Sequence, residues 1–166
     1  MQGPYTPLAF ANQFIIKSGN EGLHHMKLQK LCFFAYGWWL AWYDKPIMTE
    51  GPEVWRYGPV FNSLYNSLTN YGRDRVLQTQ KSNPFEKPPS ISEKDENTQK
   101  LVNWIWQRYG KLSGFELSAM THEKGTPWQI EAERNNYIVP IHHRIPDDII
   151  KNYFRLEAKK LDPGFV

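Results

Sequence analysis

Residues 26–43 read MKLQKLCFFAYGWWLAWY, and after Leu31 the run is apolar on nearly every side. A helix of that composition must be covered on every face. A chain of 166 residues has room for one such helix at its centre, and the rest of the molecule must wrap it. The helix opens on Lys27 and Lys30, three positions apart and therefore on one face. Cations are unfavourable in a first helical turn, where the macrodipole end is positive. Either each lysine meets an internal carboxylate, or the pair marks a functional face, since a local rule broken beside a well-specified core is where function tends to sit.

Upstream, Thr6 and Pro7 read as N-cap and first helical position and Gly19 as a stop, predicting a helix over 7–18. Downstream, KPIMTEGPEVWRYGPV excludes a long helix through its prolines and glycines. Ile47-Met48 and Val54-Trp55 are short extended segments that predict a small antiparallel hairpin. Gly58 and Pro59 then turn the chain sharply into a helix over 60–70, with Val60, Leu64 and Leu68 on one face and Gly72 as its stop. Val76-Leu77 reads as a further short extended segment. Residues 78–91, proline-rich, form a surface loop and are expected to be the most mobile segment.

Ser92 with Asp95 resembles a capping box for a helix that ends at Gly110. Ser113 and Glu116 form a full capping box, flanked by Leu112 and Leu117 at the spacing of a hydrophobic staple. Thr126, Pro127 and Gln129 start another helix by the same chemistry. YIVPI, at 137–141, reads as an edge strand interrupted by Pro140. The last helix begins at Pro146, turns Ile149, Ile150, Tyr153 and Phe154 inward, and ends near Lys159-Lys160. The expected fold is mainly α (α+β): one compact domain over 1–166, core about 7–161, with about six to seven helices around one buried central helix and a small antiparallel β element.

Composition narrows the function. Hydrophobic residues make up 40% and aromatics 15%, and seven tryptophans are enough to fill a core with some left for a surface that meets a partner. A net charge of only +3, with no run of five basic residues, argues against nucleic acid as the main ligand. Cys32 is the only cysteine. It lies in the apolar helix, so a buried structural thiol in a reducing cytoplasm is expected. The stretch MQGPYTPL lacks a basic region followed by an apolar run, so a secretory signal is not expected, and the stretch 31–43, broken by Gly37, falls short of a membrane span.

The histidine pairs His24-His25 and His142-His143 lack metal-ligand spacing and read as structural or surface residues. His122 and Glu123, at the end of a capped helix and before a rigid Gly-Thr-Pro-Trp turn, present a candidate general acid/base pair. The alternative is that His122 caps the helix carbonyls and packs on Trp128. No nucleophile elbow, phosphate loop or dinucleotide-binding glycine pattern is present. In Trp55-Arg56-Tyr57-Gly58-Pro59-Val60, alternation places Trp55 and Tyr57 on one face and Arg56 on the other. At least one of the two aromatics packs inward; the other, with Arg56, suits a binding surface.

Lys27-Leu28-Gln29-Lys30-Leu31 leads into Ala35-Tyr36-Gly37-Trp38. Trp55-x-Tyr57-Gly58-Pro59-Val60 and Tyr65 follow, then Tyr109-Gly110, Leu112-Ser113, Leu117-Ser118 and Thr121-His122-x-x-x-x-Pro127-Trp128. This ordered set, over residues 7–154, resembles the Panacea domain, also called the SocA-like antitoxin or phage-associated GepA-like family. The resemblance implies an antitoxin from a two-gene toxin–antitoxin operon or a mobile element. Its partner would be a cognate protein toxin, neutralised by direct binding. One described family member instead delivers its toxin to the ClpXP protease, so proteolytic adaptation is the alternative, as is inhibition of a host protein by a phage protein. Little of the chain lies outside the resemblance, so a separate DNA-binding module is not expected. A hydrolase using His122 and Glu123 is the rival from another class.

The expected contact residues are Lys27, Lys30, Trp55, Arg56 and Tyr57, with the proline-rich loop beside them. Gln29, Trp38, Gly58, Pro59, Val60, His122, Pro127 and Trp128 are expected to be structural. No catalytic residue, metal or other cofactor is expected, and no membrane or nucleic-acid partner.

Overall fold

The central helix, α2 (His25–Tyr43), is buried without a break over residues 28–41. In the computed structural model, which describes residues 3–164, six further helices surround it: α1 (Pro7–Ser18), α3 (Asn62–Leu68), α4 (Glu96–Tyr109), α5 (Gly114–His122), α6 (Pro127–Arg134) and α7 (Asp147–Leu161). α1, α3, α4, α5 and α7 all pack directly on α2. The domain is mainly α, as the apolar circumference of α2 requires. Among the described residues no helix is long and apolar enough to cross a membrane.

Close approach to α2 is set by Gly37. A Cβ there would stand 2.0–2.6 Å from ring carbons of Phe154 on α7. Trp38, one residue on, meets Phe154 and Trp104 edge to face and donates its indole N–H to Tyr109 Oη at 2.9 Å. Cys32 is fully buried, and burial pushes its thiol pKa up, as suits a structural thiol.

Helix starts follow local chemistry. Thr6, Ser113 and Thr126 each accept a main-chain N–H in the first turn, and Ser113 with Glu116 completes the reciprocal box. α4 is capped differently from expectation: Asp95 itself is the N-cap and accepts from Thr98 N, while Ser92 stands one turn outside. Asp95 also accepts from Tyr5 Oη, so its carboxylate is drawn inward.

Two antiparallel ribbons complete the fold. β1 (Leu23–His24) pairs with β4 (Arg75–Val76). β2 (Glu53–Trp55) pairs with β3 (Gly58–Val60), Trp55 opposite Gly58. The hairpin therefore exists, but its second strand is Gly58–Val60. Ile47 and Met48 instead pair with Tyr5 ahead of α1. Val60, expected on a helical face, is a strand residue, and α3 starts two residues later. Pro59 fits a ladder because its cross-strand neighbour Val54 sends its own N–H outward to His143 O.

YIVPI forms no strand. Asn136, Tyr137 and His142 adopt positive φ, and the chain reaches β2 only at Arg144, as a single bridge to Glu53. The proline-rich loop is anchored at both stems by Asn12, and Gln99 adds a bond to Ile91 O at its end. The buried amide of Asn12 donates to Gln80 O and Pro89 O and accepts from Gln80 N, so α1 holds both stems of the loop.

Candidate partner-binding surface

The family-like motif residues converge on one short stretch of main chain, the β2–β3 hairpin. Trp128 Nε1 donates to Trp55 O at 2.7 Å. His122 Nε2 lies 3.3 Å from Arg56 O, and Ser118 Oγ donates to Tyr57 O at 3.0 Å. Lys30 Nζ donates to Pro59 O at 3.2 Å. Gln29 closes the series in both directions: its Oε1 accepts from Phe61 N at 2.9 Å and its Nε2 donates to Phe61 O at 3.2 Å. An amide side chain thus stands in for a neighbouring strand, satisfying an N–H that would otherwise be buried unpaired and sharing the Phe61 carbonyl with Tyr65 N.

Gly58 is required at the centre of this arrangement. Its φ is +105°, and a Cβ would meet Thr121 Oγ1 at 2.7 Å and the Lys30 ammonium at 2.9 Å. The hairpin lies against α2 and α5 with no room for a side chain between them.

The two lysines of α2 part company. Lys30 is 1% exposed, within the domain. Burial pushes its ammonium down to about 7, and the Pro59 carbonyl is its hydrogen-bond partner. Lys27 is half-buried, donates to Gly110 O at 2.6 Å and stands 5.8 Å over the Trp106 ring. Neither forms a salt bridge among the described residues. The expectation of internal carboxylate partners is corrected: both ammonium groups are held by main-chain carbonyls. They also do not share an exposed face.

Arg56 and Tyr57 occupy the hairpin tip, exposed, with the guanidinium 5.4 Å from the tyrosine ring. Tyr57 is 60% exposed. Because the chain turns at these two residues, Trp55 and Tyr57 do not share a strand face. Trp55 folds back, half-buried, onto Tyr65 at 4.7 Å, its indole bonded to Glu53 Oε2. The tryptophans as a class are inside: Trp38, Trp39 and Trp128 are buried and the other four half-buried. The aromatic surplus reaches the surface as Tyr57, Tyr65, Phe85, Phe115 and Tyr137.

Beside the hairpin runs the loop after α6. His143 Nε2 lies 2.8 Å from Glu131 Oε1 and His142 Nδ1 3.2 Å from Glu53 Oε1, so two buried carboxylates tether its far end. Two of its apolar residues face water, Ile138 at 83% exposed and Ile141 at 88%, while Val139 between them packs partly buried against the core. The apolar run reads as a strand in sequence, which hides this strip. The signal was the Asn135-Asn136 pair ahead of it and Pro140 within it, turn chemistry on both counts. Ser118 was also missed as a hairpin clamp.

His122 packs on Trp128 at 4.0 Å between ring centroids, with Nδ1 2.7 Å from Ser118 O. Both ring nitrogens thus face carbonyl oxygens. Glu123 is exposed, and no hydrogen bond joins the two side chains among the described residues. No group of three His, Cys, Asp or Glu side chains that could hold a metal occurs among the described residues.

Comparisons with known proteins agree with the motif pattern. The family described as Antitoxin SocA-like, Panacea domain, matches residues 28–129, from the start of the buried stretch of α2 into α6. That span contains the hairpin and all the side chains that clamp it. The Antitoxin SocA of Caulobacter vibrioides (strain NA1000 / CB15N) is 25% identical over 151 residues, covering 86% of this chain and 78% of its own. No solved structure matches the chain. With the family match spanning more than half of its length and its motif residues gathered at one hairpin, the chain belongs to the SocA-like antitoxin family, with a Panacea domain.

Proposed function

We propose that the protein is the antitoxin of a toxin–antitoxin pair, acting in the cytoplasm, and that it silences a protein toxin by binding it without catalysis. The observation that carries this reading is the hairpin tip. Its main chain is clamped residue by residue, yet the side chains of Arg56 and Tyr57 are left in water. Arginine and tyrosine often carry interface energy, and a backbone already held in place loses little entropy on association. Tyr137, Ile138 and Ile141 extend the surface with apolar area. The name of the Caulobacter relative supplies the partner class.

The hydrolase alternative has weaker support. A general base needs a nitrogen free to take a proton, and both nitrogens of His122 face main-chain carbonyls.

The test uses the product of the neighbouring gene. Expressed alone it should arrest growth, and the present chain should restore growth and retain that product in a pull-down. Arg56→Ala with Tyr57→Ala should weaken the complex about 30-fold or more, as loss of a hot spot does, with an unchanged thermal melt. A folded His122→Ala variant should still rescue. Unchanged affinity in the double variant would move the contact surface elsewhere. Turnover by the purified chain, lost together with rescue in His122→Ala, would overturn the binding account. In a host lacking ClpXP-type proteases rescue should persist; toxin reappearing there would mark delivery for proteolysis instead.

A further inference from the structure

An open cleft of about 1440 Å³ lies where the β1–β4 ribbon and the first turn of α2 meet the end of α4 and the start of α5. Its walls carry Lys17, Lys27, Arg73, Arg75 and Lys111 against a single carboxylate, Glu21. Five cations against one anion is a formal +4, more than the +3 of the whole chain. None of the five forms a salt bridge among the described residues. The polar contacts they make are to neutral groups: Lys27 to Gly110 O, Arg75 to Glu21 O and Lys17 to the Asn103 amide.

The backbone adds to this field. α2 begins at the cleft with no side-chain cap on His24 and no acidic residue in its first turn, so the positive end of its dipole is uncompensated. Lys27 sits in that same turn. Burial and then the Arg75 charge hold its ammonium below the usual lysine range, opposed by Glu21 and Glu116. Glu116 is already engaged in the cap of α5. The cation misplaced by helix rules is thus one of a convergent set.

We propose that this cleft receives a carboxylate-rich segment of the protein partner, with an apolar residue of that segment resting on Phe115. The inference rests on the antitoxin reading and supplies a chemistry for its partner. Phe115 lines the cleft and is 80% exposed. A nucleic-acid strand would need free aromatic faces on which successive bases stack. The other aromatic in the lining, Trp106, already holds Lys27 over its ring and Phe14 stacked against it. Carboxylates need only the converging cations and the open helix N-terminus.

The experiment is fluorescence anisotropy on the full chain with a labelled octapeptide of glutamates around a central phenylalanine, and with a labelled thymidine octanucleotide. The peptide should bind saturably at low ionic strength, weaken as salt is raised, and bind more tightly than the oligonucleotide. Arg73→Glu with Lys111→Glu changes two exposed residues whose side chains make no hydrogen bond or ion pair among the described residues. It should melt like the wild type and lose peptide affinity at least ~tenfold; Phe115→Ala should lose less. If the reversal melts early, Arg73→Gln with Lys111→Gln replaces it. No saturable binding, equal binding by the charge variant, or tighter binding of the oligonucleotide overturns the proposal. Growth rescue separates the two levels. If wild type and charge variant rescue equally, the cleft assignment falls and the antitoxin reading stands; if the wild type does not rescue, the antitoxin reading falls.

Discussion

Gln29 and Lys30 are adjacent polar residues inside an apolar helix, and each owes its place to main chain that it satisfies. Gln29 pairs both ways with Phe61. Gln29→Leu fills the volume but leaves the buried Phe61 N–H without a partner, at about 1–3 kcal/mol, while Phe61 O keeps the Tyr65 N–H at 2.9 Å. Urea denaturation should show a loss of at least about 1 kcal/mol, and a smaller loss would mean that water replaces the amide. Lys30 makes stability depend on pH. Its ammonium is held down to about 7, against 10.5 for a free lysine. Between those values the unfolded chain carries a proton that the folded chain lacks, so stability rises with pH. The urea midpoint should increase from pH 7 to pH 9 in the wild type, and the increase should shrink in Lys30→Met. His25, pushed down to about 4 by burial and then by the Lys30 charge, contributes its own rise at lower pH, between about 4 and 6.5. An identical pH 7–9 rise in Lys30→Met would assign that slope to other groups.

The hairpin is the element on which the family motifs act. Two three-residue strands have little stability alone; this ribbon persists because Trp128, His122, Ser118, Lys30 and Gln29 reach it from α6, α5 and α2. Gly58→Val would force a β-branched residue into φ +105° and against Thr121 and Lys30. Strain and overpacking together should cost at least about 2 kcal/mol. The thermal midpoint should fall and partner binding with it, whereas Tyr57→Ala should lower binding alone. If Gly58→Val melted like the wild type, the hairpin would not be pinned as described. The hairpin was only half legible beforehand. Val54-Trp55 announced a strand and Gly58-Pro59 a bend, but the same glycine and proline both end the turn and form the second strand. Which strand Val54 pairs with depends on how Lys30 and Gln29 hold Pro59 and Phe61, 29 and 32 residues further along the sequence.

For the whole molecule, α2 acts as the axle. Its buried face meets α1, α4, α5 and α7 at once, so a cavity there loosens several elements together. Trp38→Ala removes an indole in contact with Trp104 and Phe154 and bonded to Tyr109. A loss of about 3–5 kcal/mol is expected, which lowers the thermal midpoint by about 6–20 °C for a chain of this length. A shift of only a few degrees would show that the core repacks around the gap. The same rigidity bears on the proposed function: a tip and a cleft built on one packed body keep their relative geometry, which favours binding.

The sequence by itself determined the central helix and the starts of its neighbours. An apolar circumference and a Ser or Thr cap act through residues within a turn or two of one another, so they can be read locally. Tertiary structure decided the destinations of the polar residues. Lys30 went inside and Lys27 to the rim of a basic cleft, Val60 joined a strand, and Ile138 and Ile141 were left in water. Those outcomes depend on hydrogen-bond partners and charges brought together from distant parts of the chain, and no local periodicity encodes them.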